Sequence, residues 1–239
     1  MDITPIIDRI YGALWYLVPL LIVAGILKSA WFKGVFGEFQ VNVLLNLFLS
    51  KENYHLIKNV TLPTDDGTTQ IDHILVSKYG VFVIETKNMK GWIFGSPNQK
   101  QWTQQLYKHS RKFQNPLHQN YKHTKTLENC LGINPDSVFS VIVFVGDSIF
   151  KTKMPENVTY GGGCVRYIKS QKAEMFTQVE VKKIVEDIES DRLQRGLTTN
   201  LQHVAHVKTI IESKENELRE IVCPKCGSEL VLRETKKGE

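Results

Sequence analysis

From Tyr11 to Leu27 the chain carries no charge, and apolar residues dominate the run (YGALWYLVPLLIVAGIL). Continued through Ser29, Ala30, Trp31 and Phe32 it reaches the length of a bilayer-spanning helix, with Lys28 able to extend to the interface. Trp15, Tyr16 and Trp31 are aromatics of the kind that gather at headgroups, and Pro19 is tolerated in a membrane span. Asp2, Asp8 and Arg9 lie before the run and no small-x-small cleavage site follows, which argues against a signal peptide. The expectation is a retained single-pass anchor in the cell membrane over residues 1–32. Lys28 and Lys33 on its far side predict a cytoplasmic C-terminal part.

Beyond the anchor, Gly34 to Leu49 has helical spacing, with Val35, Phe36, Phe39, Val43, Leu44, Leu47 and Phe48 apolar. Short β-rich runs follow at Tyr54–Val60, Gln70–Ser77, Val81–Lys87 and Trp92–Phe94, with turns at Asp65-Asp66-Gly67 and Lys78-Tyr79-Gly80. A helix is expected from Asn115 to Leu131. The continuous apolar run Val138–Val145 then reads as a buried central strand, and Val165–Ile168 as a further one. Charged helical periodicity resumes at about Gln178 and continues, broken near Gly196, to about Arg219. The pattern predicts an α/β domain, a mixed sheet flanked by helices. It spans residues 33–150 with an extension to about 170, a charged helical segment over 171–219 and a tail over 220–239.

Charge changes this picture through its distribution more than its total of +5. No Asp or Glu occurs from Thr86 to Leu127, whereas Lys87, Lys90, Lys100, Lys108, Arg111, Lys112, Lys122 and Lys125 all fall there. Aromatic residues are interleaved with them: Trp92, Phe94, Trp102, Tyr107, Phe113 and Tyr121. A one-signed stretch of this kind suits a polyanion, because lysines displace phosphate counterions and aromatic faces stack on bases. Lys90, Lys108, Arg111, Lys112, Lys122 and Lys125 are the candidate contacts, with DNA favoured over RNA. The competing reading is a solvated basic face.

The sharpest chemistry lies in Gln70-Ile71-Asp72-His73, followed by Glu85-Thr86-Lys87. Residues two apart on a strand share a face, so Glu85 and Lys87 point the same way. The Lys78-Tyr79-Gly80 turn folds the two segments into a hairpin and brings Asp72 toward Glu85. Converging carboxylates repel each other unless a cation neutralises them. Oxygen ligands of this type suit Mg²⁺ or Mn²⁺, which polarises a phosphate and activates water, with a lysine beside it. The plainer alternative is an internal salt-bridge cluster.

These motifs resemble the PD-(D/E)xK nucleases, whose fold is restriction-endonuclease-like, and more specifically the nuclease-related domain known as NERD. The resemblance runs in order through Lys33-Gly34, Gly37-Glu38, Leu62-Pro63, Gln70-Ile71-Asp72-His73 and Gly80 to Asn88. It continues through Gly91-Trp92-Ile93, Trp102 with Gln104, and Asn115-Pro116-Leu117-His118-Gln119-Asn120 with His123. It covers about Lys33 to Val145. Ile71 departs from the broader signature, which has proline there. The resemblance implies that Glu38 joins Asp72 and Glu85 around the metal. It makes Lys87 the base or water-orienting group and places Gln119 at the site from the following helix. On their own residues, Glu38 reads equally as a surface helix residue and Gln119 as a packing amide.

Cysteine is sparse, which points to a reducing compartment. Cys223-Pro224-Lys225-Cys226-Gly227 resembles the first half of the zinc ribbons of bacterial type I topoisomerases, making Cys223 and Cys226 candidate Zn²⁺ ligands that lack a second cysteine pair. The reading favoured by the whole is a membrane-anchored, metal-dependent nuclease that hydrolyses DNA phosphodiesters. The alternative is a catalytically inactive, membrane-tethered DNA-binding module.

Overall fold

The computed structural model describes residues 4–64 and 67–192. The Asp65–Asp66 turn, the helical continuation toward Arg219 and the Cys223–Cys226 pair therefore lie outside the described residues. In chain order the elements are helices α1 (Thr4–Lys28) and α2 (Ala30–Phe48), then strands β1 (Tyr54–Thr64), β2 (Gly67–Ser77), β3 (Gly80–Asn88), β4 (Gly91–Phe94), β5 (Gln101–Leu106) and β6 (His109–Gln114). Helix α3 (Pro116–Leu131) precedes β7 (Val138–Val145), β8 (Ser148–Phe150) and β9 (Val158–Tyr160), and α4 (Gly161–Ser170) and α5 (Gln178–Asp191) follow. The body comprises residues up to Val60 and from Gln70 to Asp191; the tip of the β1–β2 hairpin, 61–69, belongs to a second unit and is extended strand at Thr61–Thr64 and Gly67–Thr69.

The α/β expectation holds, with two mixed sheets. One has the order β1-β2-β3-β7-β9, the other β6-β5-β4-β8. Strand β3 is antiparallel to β2 and parallel to β7, with Val81–Asn88 aligned to Val138–Val145. The hairpin turn works because Gly80 takes φ +136, and a Cβ there would meet the Phe139 ring at 2.5 Å. Alternation along β3 divides its side chains between two faces. Phe82 and Ile84 join Val41 and Leu45 of α2 and Cys164 and Ile168 of α4 in one core cluster. On β7, Ile142 and Phe144 face a second cluster with Ile93 and Trp102. Glu85 and Lys87 are thereby turned away from α2's apolar stripe.

Two expectations need correction, and one hairpin was not foreseen. Val165–Ile168 is helix, not strand: Cys164, Val165 and Ile168 form the buried face of α4. The polar segments of β5 and β6 pair as a hairpin, Gln101 with Gln114 through Leu106 with His109, where the sequence pattern showed no strands. The N-terminal helix does not continue through Phe32. Ser29 leaves helical geometry and caps α2, its Oγ accepting from the Phe32 amide at 3.1 Å and donating to the Ile26 carbonyl at 2.7 Å. Among the described residues no single helix is long and apolar enough to cross a membrane; Trp15–Lys28 and Ala30–Phe48, bent by 61°, meet that measure as a pair.

Asn115 shows how the motif residues build this body. It caps α3 by accepting from the Leu117 amide, and its Nδ2 donates to the carbonyls of Pro97 and Gln99 at 3.0 and 2.7 Å. The side chain is fully buried. Asn115→Ala removes the cap and the buried donor that ties α3 to the Pro97 and Gln99 carbonyls, so a loss of about 1–3 kcal/mol is expected, read as a lower urea midpoint at unchanged slope.

Candidate active site

Asp72 on β2 and Glu85 and Lys87 on β3 meet beside the N-terminal half of α3. The Thr86 amide donates to Asp72 Oδ2 at 2.9 Å. Lys87 Nζ donates to Glu85 Oε1 at 2.6 Å and to Gln119 Oε1 at 2.8 Å, so Gln119 does reach the site from α3. Glu85 is buried, and its other oxygen lies 3.4 Å from His123 Nε2. The sequence motifs include His123 but assign it no partner. Its place four residues after Gln119, on the same helical face, was the available signal.

Glu38 is partly buried on α2. Its helix is brought close by Gly37, where a Cβ would stand 2.8 Å from the Asn88 Cβ, and by Asn88 Nδ2 donating to the Lys33 carbonyl at 2.7 Å. Only glycine allows that approach. Buried His73, next to Asp72, is hydrogen-bonded to the Glu38 backbone and ties α2 to β2. Asn120 locks α3 from the other side, its Nδ2 donating to the Val83 carbonyl and to Ser140 Oγ, each at 2.8 Å.

The acids share one electrostatic field. Burial pushes Asp72 well above the usual carboxylate range, and the charges of Glu85 and Glu38 add to this against the Thr86 hydrogen bond and the charge of Lys87. Glu38 is raised by burial and then by Glu85. Burial acts to raise Glu85 too, but His123 beside it and the hydrogen bond and charge of Lys87 outweigh it and hold this carboxylate low. The two acids are thus pushed apart, Asp72 upward and Glu85 downward, as expected of buried carboxyls that repel each other. The donor chemistry suits a hard cation, whose charge would relieve that repulsion. The donors do not stand as a formed cage: among the described residues no three of His, Cys, Asp and Glu are grouped to hold a metal ion. Glu85 is instead turned to Lys87 and His123.

Burial lowers His73 to about 4. Between pH 4 and 6.5 the unfolded chain binds a proton there that the folded chain refuses, so this contribution to stability rises with pH and is lost on acidification. The raised pKa of Asp72 acts in the opposite sense. His73→Gln isolates the histidine: in chelator, the stability difference between wild type and variant should grow by about 3 kcal/mol in favour of wild type from pH 4 to 6.5. A constant difference would show that His73 titrates normally.

The predicted basic residues fall into separate places. Lys108, Arg111 and Lys112 are exposed on the β5–β6 hairpin, and Lys122 and Lys125 lie on α3. Lys125 pairs with Glu128 at 2.5 Å and Lys90 with Asp147 at 3.4 Å, so these two charges are partly answered within the chain.

Residues 33–145 match the model of the nuclease-related domain family, NERD. An uncharacterized protein of Bacillus anthracis, pXO1-01, is 50% identical over 97 residues, which cover 40% of this chain and 45% of that protein. The chain thus matches less than half of that relative's length. The domain points to a nuclease-related function and to interaction with nucleic acid.

Proposed function

We propose that this protein is a membrane-anchored nuclease that hydrolyses DNA phosphodiester bonds with the help of Mg²⁺ or Mn²⁺. The observation that carries the reading is the lysine of the hairpin held between the buried Glu85 and Gln119, beside Asp72. Asp72 and Glu85 would hold the cation, with Glu38 alongside. When bound, such an ion polarises a phosphate and acidifies water. Lys87 is fixed by two acceptors with its ammonium at the site, where it orients the nucleophile or stabilises the charge that develops on phosphate. Gln119 keeps that ammonium in place, and His123 stands 3.4 Å from the far oxygen of Glu85, so both sit where they orient groups that react. The anchor is α1, whose described side chains from Trp15 to Leu27 are almost all exposed and apolar.

Supporting DNA as substrate are the exposed cations of the β5–β6 hairpin. Affinity for duplex DNA should fall steeply with salt. Replacing Lys108, Arg111 and Lys112 together by alanine should reduce the magnitude of the log–log slope by about 2–3, since each lost phosphate contact removes about 0.9 from it. The decisive assay incubates the detergent-solubilised full chain with linear, nicked and single-stranded DNA, in Mg²⁺, Mn²⁺ or chelator. Cleavage that requires either ion supports the reading. Salt-dependent binding with no cleavage in either ion would leave a tethered DNA-binding module in its place.

A further inference from the structure

Helix α2 has two apolar faces. Gly37, Val41 and Leu45 form the buried one, against the sheet. On the opposite side Val35, Phe39, Val43 and Leu47 recur at four-residue spacing with Phe36 beside them, and all five are exposed. Phe32, Phe36 and Phe39 stack along this face, with ring centroids 6.1 and 6.5 Å apart. A helix on the surface of a soluble domain should turn polar residues outward. Glu38 and Asn42 lie instead on one flank and Gln40 on the other, with Asn46 the exposed polar residue within the stripe, and an apolar face of this length marks an interaction surface.

We propose that this outer face lies in the interfacial layer of the membrane, so that α2 is a surface helix and the domain rests flat on the bilayer. Three features name lipid as the occupant. The stripe is continuous in sequence with the exposed apolar side chains of α1. Trp31 stands exposed at the junction, an aromatic suited to headgroup depth, and exposed Lys33 and Lys51 flank the stripe at its two ends, where anionic headgroups would meet them. The bend of 61° between the helices fits as well. A span tilted by about 20–30° from the bilayer normal brings a helix bent this far from it into or near the membrane plane. The inference rests on the anchor proposed above and adds that the site, with Glu38 on α2, sits about one helix diameter, ~10 Å, from lipid. Nucleic acid is then cleaved along the membrane surface, not at the end of a tether.

The test uses the full chain reconstituted in vesicles of phosphatidylcholine and phosphatidylglycerol. A nitroxide carried by an encoded keto amino acid is placed singly at position 22, 39, 43 or 182. Collision rates with oxygen and with a water-soluble nickel chelate report depth. Labels at 39 and 43 should show a severalfold higher oxygen-to-nickel ratio than the label at 182 on α5. A water-like ratio at 39 and 43 overturns the inference. Spin–spin broadening at those positions that disappears on dilution with unlabelled chain also overturns it, by assigning the face to a second copy. The label at 22 reports the anchor separately. If 22 is lipid-exposed while 39 and 43 are in water, the surface helix alone fails; if all three are in water, the anchor fails with it.

Discussion

Lys87→Ala should reduce cleavage by on the order of 10³-fold or more while leaving Mn²⁺ and DNA bound. The lysine is no ligand for a hard cation, and its ammonium competes with one for Glu85, from which it stands 2.6 Å. Metal affinity in the variant should be unchanged or higher. Asp72→Ala and Glu85→Ala should behave differently: each removes a carboxylate, so activity and metal affinity fall together. Removing Glu85 also strips Asp72 of its main repulsive neighbour, and the pKa of Asp72 should come down. Calorimetric Mn²⁺ titration, filter binding of DNA and single-turnover cleavage on the same preparations separate these effects. If the lysine variant loses metal as the carboxylate variants do, Lys87 is a structural counter-charge and not a participant in the reaction.

Trp102→Ala should be the most damaging single change to the fold, costing about 3–5 kcal/mol. The indole has no solvent exposure, stacks at 6.3 Å on Phe144 and meets Phe113 edge-on at 6.2 Å. Its Nε1 donates to the Ser96 carbonyl at 2.9 Å. Phe144 is the register partner of Lys87 across the β3–β7 ladder, so the cavity opens one strand away from the site. Urea unfolding should show the loss in the midpoint. Gly95 leaves no room on the other side, since a Cβ there would fall 2.3 Å from the indole. Gly95→Ala should therefore also destabilise, by displacing the same ring.

The parts of the fold that were legible in sequence are those where burial and chemistry agree. Strand β3 announced itself by four apolar residues running into Glu85 and Lys87, and β7 by an unbroken apolar run. The hairpin turn at Lys78–Tyr79–Gly80 followed from glycine. The β5–β6 hairpin was hidden because it buries little besides Trp102, and β6 is an exposed edge whose His109, Arg111 and Lys112 read as loop chemistry. Helix α4 was misread because Val165–Ile168 is short and partly β-branched after three glycines; packing of Cys164 and Ile168 in the core with Val41 and Leu45 decides it. In the site, Asp72, Glu85 and Lys87 were visible from spacing, and Gln119 and Glu38 came from the resemblance alone. His123 and Asn120 were not assigned their partners, because only the crossing of α3 over β3 reveals them. The break at Ser29 went unseen because a lone serine interrupts no hydrophobic pattern, although its side chain is a ready cap.

Glu85 and Lys87 ride on a strand bonded on both sides, antiparallel to β2 and parallel to β7, whereas the basic β6 has a neighbour on one side only. Backbone amides of the first kind exchange with solvent only when the whole body opens, and those of the second exchange through local fraying. In the proposed function the chemistry and the substrate grip thus lie at opposite ends of the molecule's range of local stability. On that proposal, changes in the hairpin reshape which nucleic acid is held without loosening the residues that react, which is the kind of separation that lets one frame acquire new specificities.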